Sequence, residues 1–133
     1  MSLRQLAEKY IKAVTEARVN GNLDALDEVE TQDIKIHLIA PLPDVIGRND
    51  HKIYVKRMRD AYKDIKLEWN YIMSQGDIFA VYYTEQMKIV GTVPGFPVPP
   101  KAKKATTMIT SICHVKGNKV DEVWMSGAFM LPI

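Results

Sequence analysis

The chain has 133 residues and a mass of 15.1 kDa, 47% of them hydrophobic and 26% charged, the range expected of one soluble domain over residues 1–133. Eighteen Lys and Arg stand against sixteen Asp and Glu, a net charge of +2 too small and too interspersed to imply a nucleic acid or an anionic membrane as partner. Cys113 is the single cysteine, which excludes an internal disulfide and a multi-cysteine zinc site and fits a cytoplasmic protein. Residues 1–17 do not read as a signal peptide, and no run of about 18 apolar residues is available to cross a membrane.

Ser2 and Gln5 have capping-box spacing, and Leu3, Leu6, Tyr10, Ala13, Val14 and Ala17 recur at intervals of three and four, so a helix is expected to about Asn20. Gly21 ends it, and Asn22 to Val29 reads as a short second helix capped by Asn22. Asp33 to Ile39 is a strand with Ile34, Ile36 and Leu38 on one face and Lys35, His37 and Ile39 on the other, stopped by Pro41 and Pro43. A cap at Asn49 or Asp50 opens a third helix with an apolar stripe of Ile53, Tyr54, Met58, Ala61, Tyr62 and Ile65. From Lys66 the period becomes two. Leu67 to Ser74 and Ile78 to Val90 flank the turn residues Gln75-Gly76-Asp77, and Ala105 to Val115 and Lys119 to about Met130 flank Gly117-Asn118. Prolines between Pro94 and Pro100 mark the one irregular connection. Helices followed by hairpin-linked strands argue an α+β domain, with helices from the N-terminal half packed on one face of a curved antiparallel sheet.

Several motifs in this order resemble the SnoaL-like polyketide cyclases of the nuclear-transport-factor-2-like superfamily. His37 ahead of Pro41, Pro43 and Gly47-Arg48 is similar to the family's strand-end histidine, proline-rich loop and Gly-Arg pair. Ala61-Tyr62-Lys63-Asp64-Ile65 resembles its alanine-aromatic-proline-aspartate-leucine box, with Lys63 in place of proline. Gly76-Asp77, Gly91-Thr92-Val93, Pro99-Pro100-Lys101-Ala102, and Gly117, Glu122 and Trp124 resemble further family elements. The resemblance implies a cone-shaped sheet enclosing a pocket and chemistry without a cofactor. Two polar groups of the family are missing. The acid expected about four residues after the tryptophan falls near Ala128, within Ser126-Gly127-Ala128-Phe129, and Val93 replaces a histidine.

Phe79, Val81, Tyr83, Glu85, Met87 and Ile89 form one face of their strand, so Glu85 interrupts an apolar set and is a candidate base with a raised pKa. His37, which matches the family histidine, is the other candidate base. Tyr54, Met58, Tyr62, Trp69, Tyr71, Tyr83, Met108 and Trp124 offer a bulky surface for a small apolar, ring-shaped ligand, with Ser126 on the same strand parity as Trp124. His51 and His114 are expected in solvent, and the three histidines lack metal-ligand spacing, so neither metal nor cofactor is expected. Lys101, Lys103 and Lys104 read as a solvated basic run. Tyr82, Val123 and Met125 are expected on the opposite sheet face, where they would be covered in a homodimer. The reading is a protein that binds a small cyclic or polyketide-like molecule and performs aldol cyclisation or isomerisation by proton transfer. The alternatives are a non-catalytic lipophilic binder and a dimeric interaction module with a collapsed pocket.

Overall fold

A computed structural model describes residues 1–40, 42–96 and 103–133, so Pro41 and the Pro99-Pro100-Lys101-Ala102 element lie outside the described residues. Helix α1 (Leu3–Asn20) begins with the expected capping box, Ser2 accepting from the Gln5 amide while the Gln5 side chain accepts from the Ser2 amide. It ends at Gly21, whose φ of 82° is the left-handed cap geometry that favours glycine. Leu23–Glu28 is a 3₁₀ rather than an α-helix, and Asn22 makes no side-chain cap. Strand β1 (Glu30–His37) starts three residues earlier than the alternation suggests, and the two-residue β2 (Val45–Ile46) pairs with it.

Helix α2 (Arg48–Ala61) is preceded by Gly47 rather than by an Asn or Asp cap, and it stops four residues before Ile65. The amides of Val90 and Gly91 both donate to the Ala61 carbonyl, and Tyr62 leaves for a strand with φ −128°. The buried stripe of α2 is therefore His51, Val55, Met58 and Ala61, and Ile53 faces water. Strands β3 (Tyr62–Gln75), β4 (Ile78–Ile89), β5 (Lys104–Lys116) and β6 (Lys119–Pro132) form an antiparallel meander.

The curved sheet has the order β2-β1-β6-β5-β4-β3. It is mixed rather than wholly antiparallel, because β1 runs parallel to β6. The three helices cover one face, and the main core lies between α1 and the inner sides of β1, β4, β5 and β6. A smaller cluster of Met58, Ala61, Tyr62, Met87, Val93, Ala105 and Met130 closes the other end.

Two irregularities set the phase of β6. The pairing shifts between His114 and Val115, so Val120 and Val123, three apart, both point inward. Beyond it, Gly127 (φ 141°) lies so close to β5 that any Cβ would overlap the Met108 carbonyl oxygen. Val123 and Met125 consequently belong to the inner face, which corrects their expected place on the outer one. The outer face instead carries Ala80, Ile112 and Trp124, then Tyr82, Thr110 and Ser126, then Thr84, Met108 and Ala128, as cross-strand rows.

Candidate functional site

Helix α1 presents Tyr10, Val14 and Arg18, one turn apart, to a cavity whose sheet wall is Ile36, Tyr83, Ile109, Ser111, Met125 and Phe129. His51 and Tyr54 of α2 and Trp69 of β3 complete the lining, so the wall is mostly apolar with a few polar groups. As folded, the cavity encloses about 30 Å³, room for about one water molecule. Leu38, Val45 and Tyr54 separate it from an outer groove of about 300 Å³. Phe96 stands 5.5 Å from Tyr54 and 4.9 Å from Phe129, ring to ring, which makes an aromatic rim between the two spaces. Trp69 packs on Tyr83 with ring centroids 4.5 Å apart and planes tilted by 40°, and its indole N–H donates to Thr15 Oγ1 at 3.1 Å.

Two buried carboxylates stand behind lining residues of the cavity, each against a basic side chain. Glu30, 0% exposed at the start of β1, is hydrogen-bonded through Oε1 to Nδ1 of His51, itself 6% exposed, at 3.0 Å, and its Oε2 lies 2.7 Å from the same nitrogen. In a neutral ring, an Nδ1–H donated to a carboxylate leaves the lone pair on Nε2, and His51 lines the cavity with no hydrogen-bond partner for Nε2 among the described residues. The second carboxylate is Glu85, 1% exposed, which accepts from Nη2 of Arg18 at 2.7 Å through Oε1, while Oε2 has no partner. Burial pushes the Glu85 carboxyl above the usual range, and the Arg18 charge opposes it. Burial disfavours the Arg18 cation, yet Glu85 together with Tyr83 and Tyr54 outweighs this and keeps the guanidinium protonated. Nη1 of Arg18 reaches the Tyr83 hydroxyl at 3.4 Å. Burial raises Tyr10, Tyr54 and Tyr83 above the ordinary phenol value, so all three are neutral hydroxyls at neutral pH.

Of the residues singled out from sequence, Tyr54, Trp69 and Tyr83 line the cavity. Glu85 points inward but is sealed beneath Arg18 and does not touch the cavity. Met58 and Tyr62 pack in the second cluster, and burial lifts the unpartnered Tyr62 hydroxyl to about 12.

Four candidates lie on the outer face. Trp124 is 42% exposed, Ser126 is exposed, and Met108 pairs with Ala128 beside them, because the phase of β6 is the reverse of the one assumed and Met108 alternates against the inward Thr107 and Ile109. His37 stacks on Trp124 at 5.7 Å and lies between Glu122 (2.6 Å) and Asp44 (3.0 Å). Its imidazole pKa is raised chiefly by the Glu122 contact, and the ring lies outside the cavity with an acid on each nitrogen.

Sequence reasoning missed Arg18, Glu30, His51 and Ser111. Arg18 continues the Tyr10 and Val14 spacing by one turn, and His51 sits one turn before Val55 on the stripe of α2, so helical periodicity held the signal for both. Ser111 shares the inward parity of Ile109 and Cys113. Glu30 carried no such signal, since it is separated from Ile34 by an irregular stretch of pairing. Among the described residues, no three His, Cys, Asp or Glu side chains are grouped to hold a metal ion, and no helix is long and apolar enough to cross a membrane.

Solved structures share this architecture. TsrD from Streptomyces laurentii superposes with a TM-score of 0.78 at 16% identity over 95% of this chain and 90% of that one. IdmH from Streptomyces antibioticus, a candidate polyketide cyclase, gives 0.71 at 20% identity over 92% and 91%. An NTF2-like protein from Burkholderia pseudomallei gives 0.70 at 12% identity over 96% and 92%. No curated protein matches the chain in sequence. The model of the SnoaL-like polyketide cyclases matches residues 8–127, in agreement with the curved sheet and its three helices, and the chain belongs to that family.

Proposed function

We propose that the protein binds a small, largely apolar cyclic or polyketide-like molecule and moves a proton beside a carbonyl, as in a cofactor-free aldol cyclisation or double-bond isomerisation. The observation that carries this reading is the buried Glu30–His51 pair, whose histidine lines a mostly apolar cavity with Glu30 behind it. His51 Nε2 takes the proton, Glu30 stabilises the imidazolium that forms, and the apolar wall keeps water from competing. Arg18 and the neutral hydroxyls of Tyr54 and Tyr83 line the same space and supply donors for the enolate oxygen. The base is thus assigned to His51 rather than to Glu85 or His37. To admit a ring, Tyr54 turns so that the cavity and the outer groove join.

α-Tetralone, a bicyclic aryl ketone, is a suitable probe. Exchange of its α-protons for deuterium, followed by NMR near neutral pH, is expected to run well above the buffer rate with wild type and to fall to it with His51→Gln. Binding without exchange would favour the non-catalytic binder. The small closed volume favours the collapsed-pocket module if neither binding nor exchange is seen. Either result overturns the catalytic reading.

The nine-residue outer patch carries no charge. We propose that a second copy covers it in a homodimer. Sedimentation is expected to give twice 15.1 kDa, with Ile112→Lys shifting the protein to monomer. The buried free Cys113 is consistent with a cytoplasmic location.

A further inference from the structure

Ser111 breaks the pattern of its strand. Its inward neighbours in the alternation are Ile109 and Cys113, its cross-strand partners are Val81 and Met125, and all four are apolar. It is 2% exposed, and its Oγ has no hydrogen-bond partner among the described residues. A buried hydroxyl without a partner is disfavoured, and alanine at this position would avoid the cost at no loss of packing partners. The same side chain lines the cavity. A polar group that weakens the fold and points into a cavity fits a site that hydrogen-bonds a ligand.

Resting on the binding site assigned above, we infer that Ser111 is a specificity-determining residue that hydrogen-bonds an oxygen on the ring system of the ligand, at a distance from the reacting carbonyl. Ser111 stands on β5, whereas His51 comes from α2 and Arg18 from α1, so the cavity grips a ligand from the sheet as well as from the helices. The ligand class is then an oxygenated ring, such as a phenol or quinone, rather than a plain hydrocarbon ring of the same size. Tyr10, Tyr54 and Tyr83 also line the cavity; Tyr83 accepts from Arg18 and keeps its own proton for the reacting oxygen, the role given to it and to Tyr54 above.

The test uses calorimetric binding of α-tetralone and of its isomers with one hydroxyl on the aromatic ring, to wild type and to Ser111→Ala. Wild type is expected to bind at least one hydroxylated isomer roughly 3–10-fold more tightly than α-tetralone, the worth of one neutral hydrogen bond. Ser111→Ala should erase that preference, bind α-tetralone unchanged, and melt no lower than wild type. Loss of binding to both classes, or a lowered melting temperature, would make Ser111 a structural residue and overturn the inference. So would a preference that survives in the alanine variant, or the absence of any preference in wild type. Because the readout is binding, it is separate from deuterium exchange: α-tetralone that binds without exchanging sinks the catalytic reading and leaves the Ser111 preference standing.

Discussion

Glu85 and Glu30 are both sunk in the interior against a basic side chain from a helix, but the partner of Glu85 is Arg18 and the partner of Glu30 is His51. An arginine guanidinium offers no lone pair at any pH the fold survives, whereas a neutral imidazole has a ring nitrogen that can take a proton. The first pair is therefore a fixed dipole that ties α1 to β4. The second brings a ring nitrogen to the cavity, because His51 lines its wall. A buried acid identified from strand alternation alone does not say which of these it is, because the answer rests with the helix packed above it.

The largest effect expected from this contrast is on stability. Sequence alone suggests that Glu85→Leu is neutral or stabilising, since it removes a buried charge. With Arg18 in place, the substitution strands a buried guanidinium and should cost about 3–5 kcal/mol in urea unfolding. Arg18→Met combined with Glu85→Leu should recover most of that loss, because a buried ion pair and a packed apolar pair are of similar worth. A double variant as unstable as the single one would break the reading of this pair as a self-contained dipole.

Glu30→Gln keeps the shape and removes the charge beside His51. It should lower stability by about 1–3 kcal/mol and reduce tetralone exchange on the order of 10²-fold, with the exchange rate read by NMR and the stability by urea unfolding. Unchanged exchange in a folded Glu30→Gln protein would separate His51 from the chemistry.

Much of this was legible in the residues. The capping box at Ser2, the β4 alternation that turns Glu85 inward and the hairpins at Gly76 and Gly117 follow from local periodicity and turn chemistry. The errors arose where the period was interrupted. The shift between His114 and Val115 inverted the assumed face of Trp124, Ser126, Val123 and Met125, and the Ala61 carbonyl, taken by Val90 and Gly91, ended α2 early. The Glu30–His51 and Arg18–Glu85 pairs join residues 21 and 67 positions apart, contacts that no local pattern records.

A smaller effect tests the face assignment itself. On the phase first read from the sequence, Ala128→Asp would place a carboxylate in an apolar pocket at a cost of about 1–3 kcal/mol. Ala128 lies beside Met108 on the outer face, so at low protein concentration the substitution should change the unfolding free energy by no more than about 0.5 kcal/mol. A larger loss in urea unfolding would return Ala128 to the cavity side.

The smallest effect concerns the surface histidines, which differ from His51 in having acids on both nitrogens. His37 sits between Glu122 and Asp44, and His114 between Asp121 and Asp77. Hydrogen bonding to Glu122 raises His37 above the ordinary imidazole value, and hydrogen bonding to Asp121 does the same for His114. A group whose pKa is higher folded than unfolded stabilises the fold fully below the unfolded value, about 6.5, and loses that contribution as pH rises through the folded value. His37→Gln and His114→Gln should therefore lower the melting temperature most near pH 5.5 and least near pH 9, with small shifts because both sites are solvated. Melting curves at the two pH values decide it. A gap between wild type and His37→Gln that widens toward pH 9 would mean that the neutral ring, stacked on Trp124, contributes more than the cation paired with Glu122.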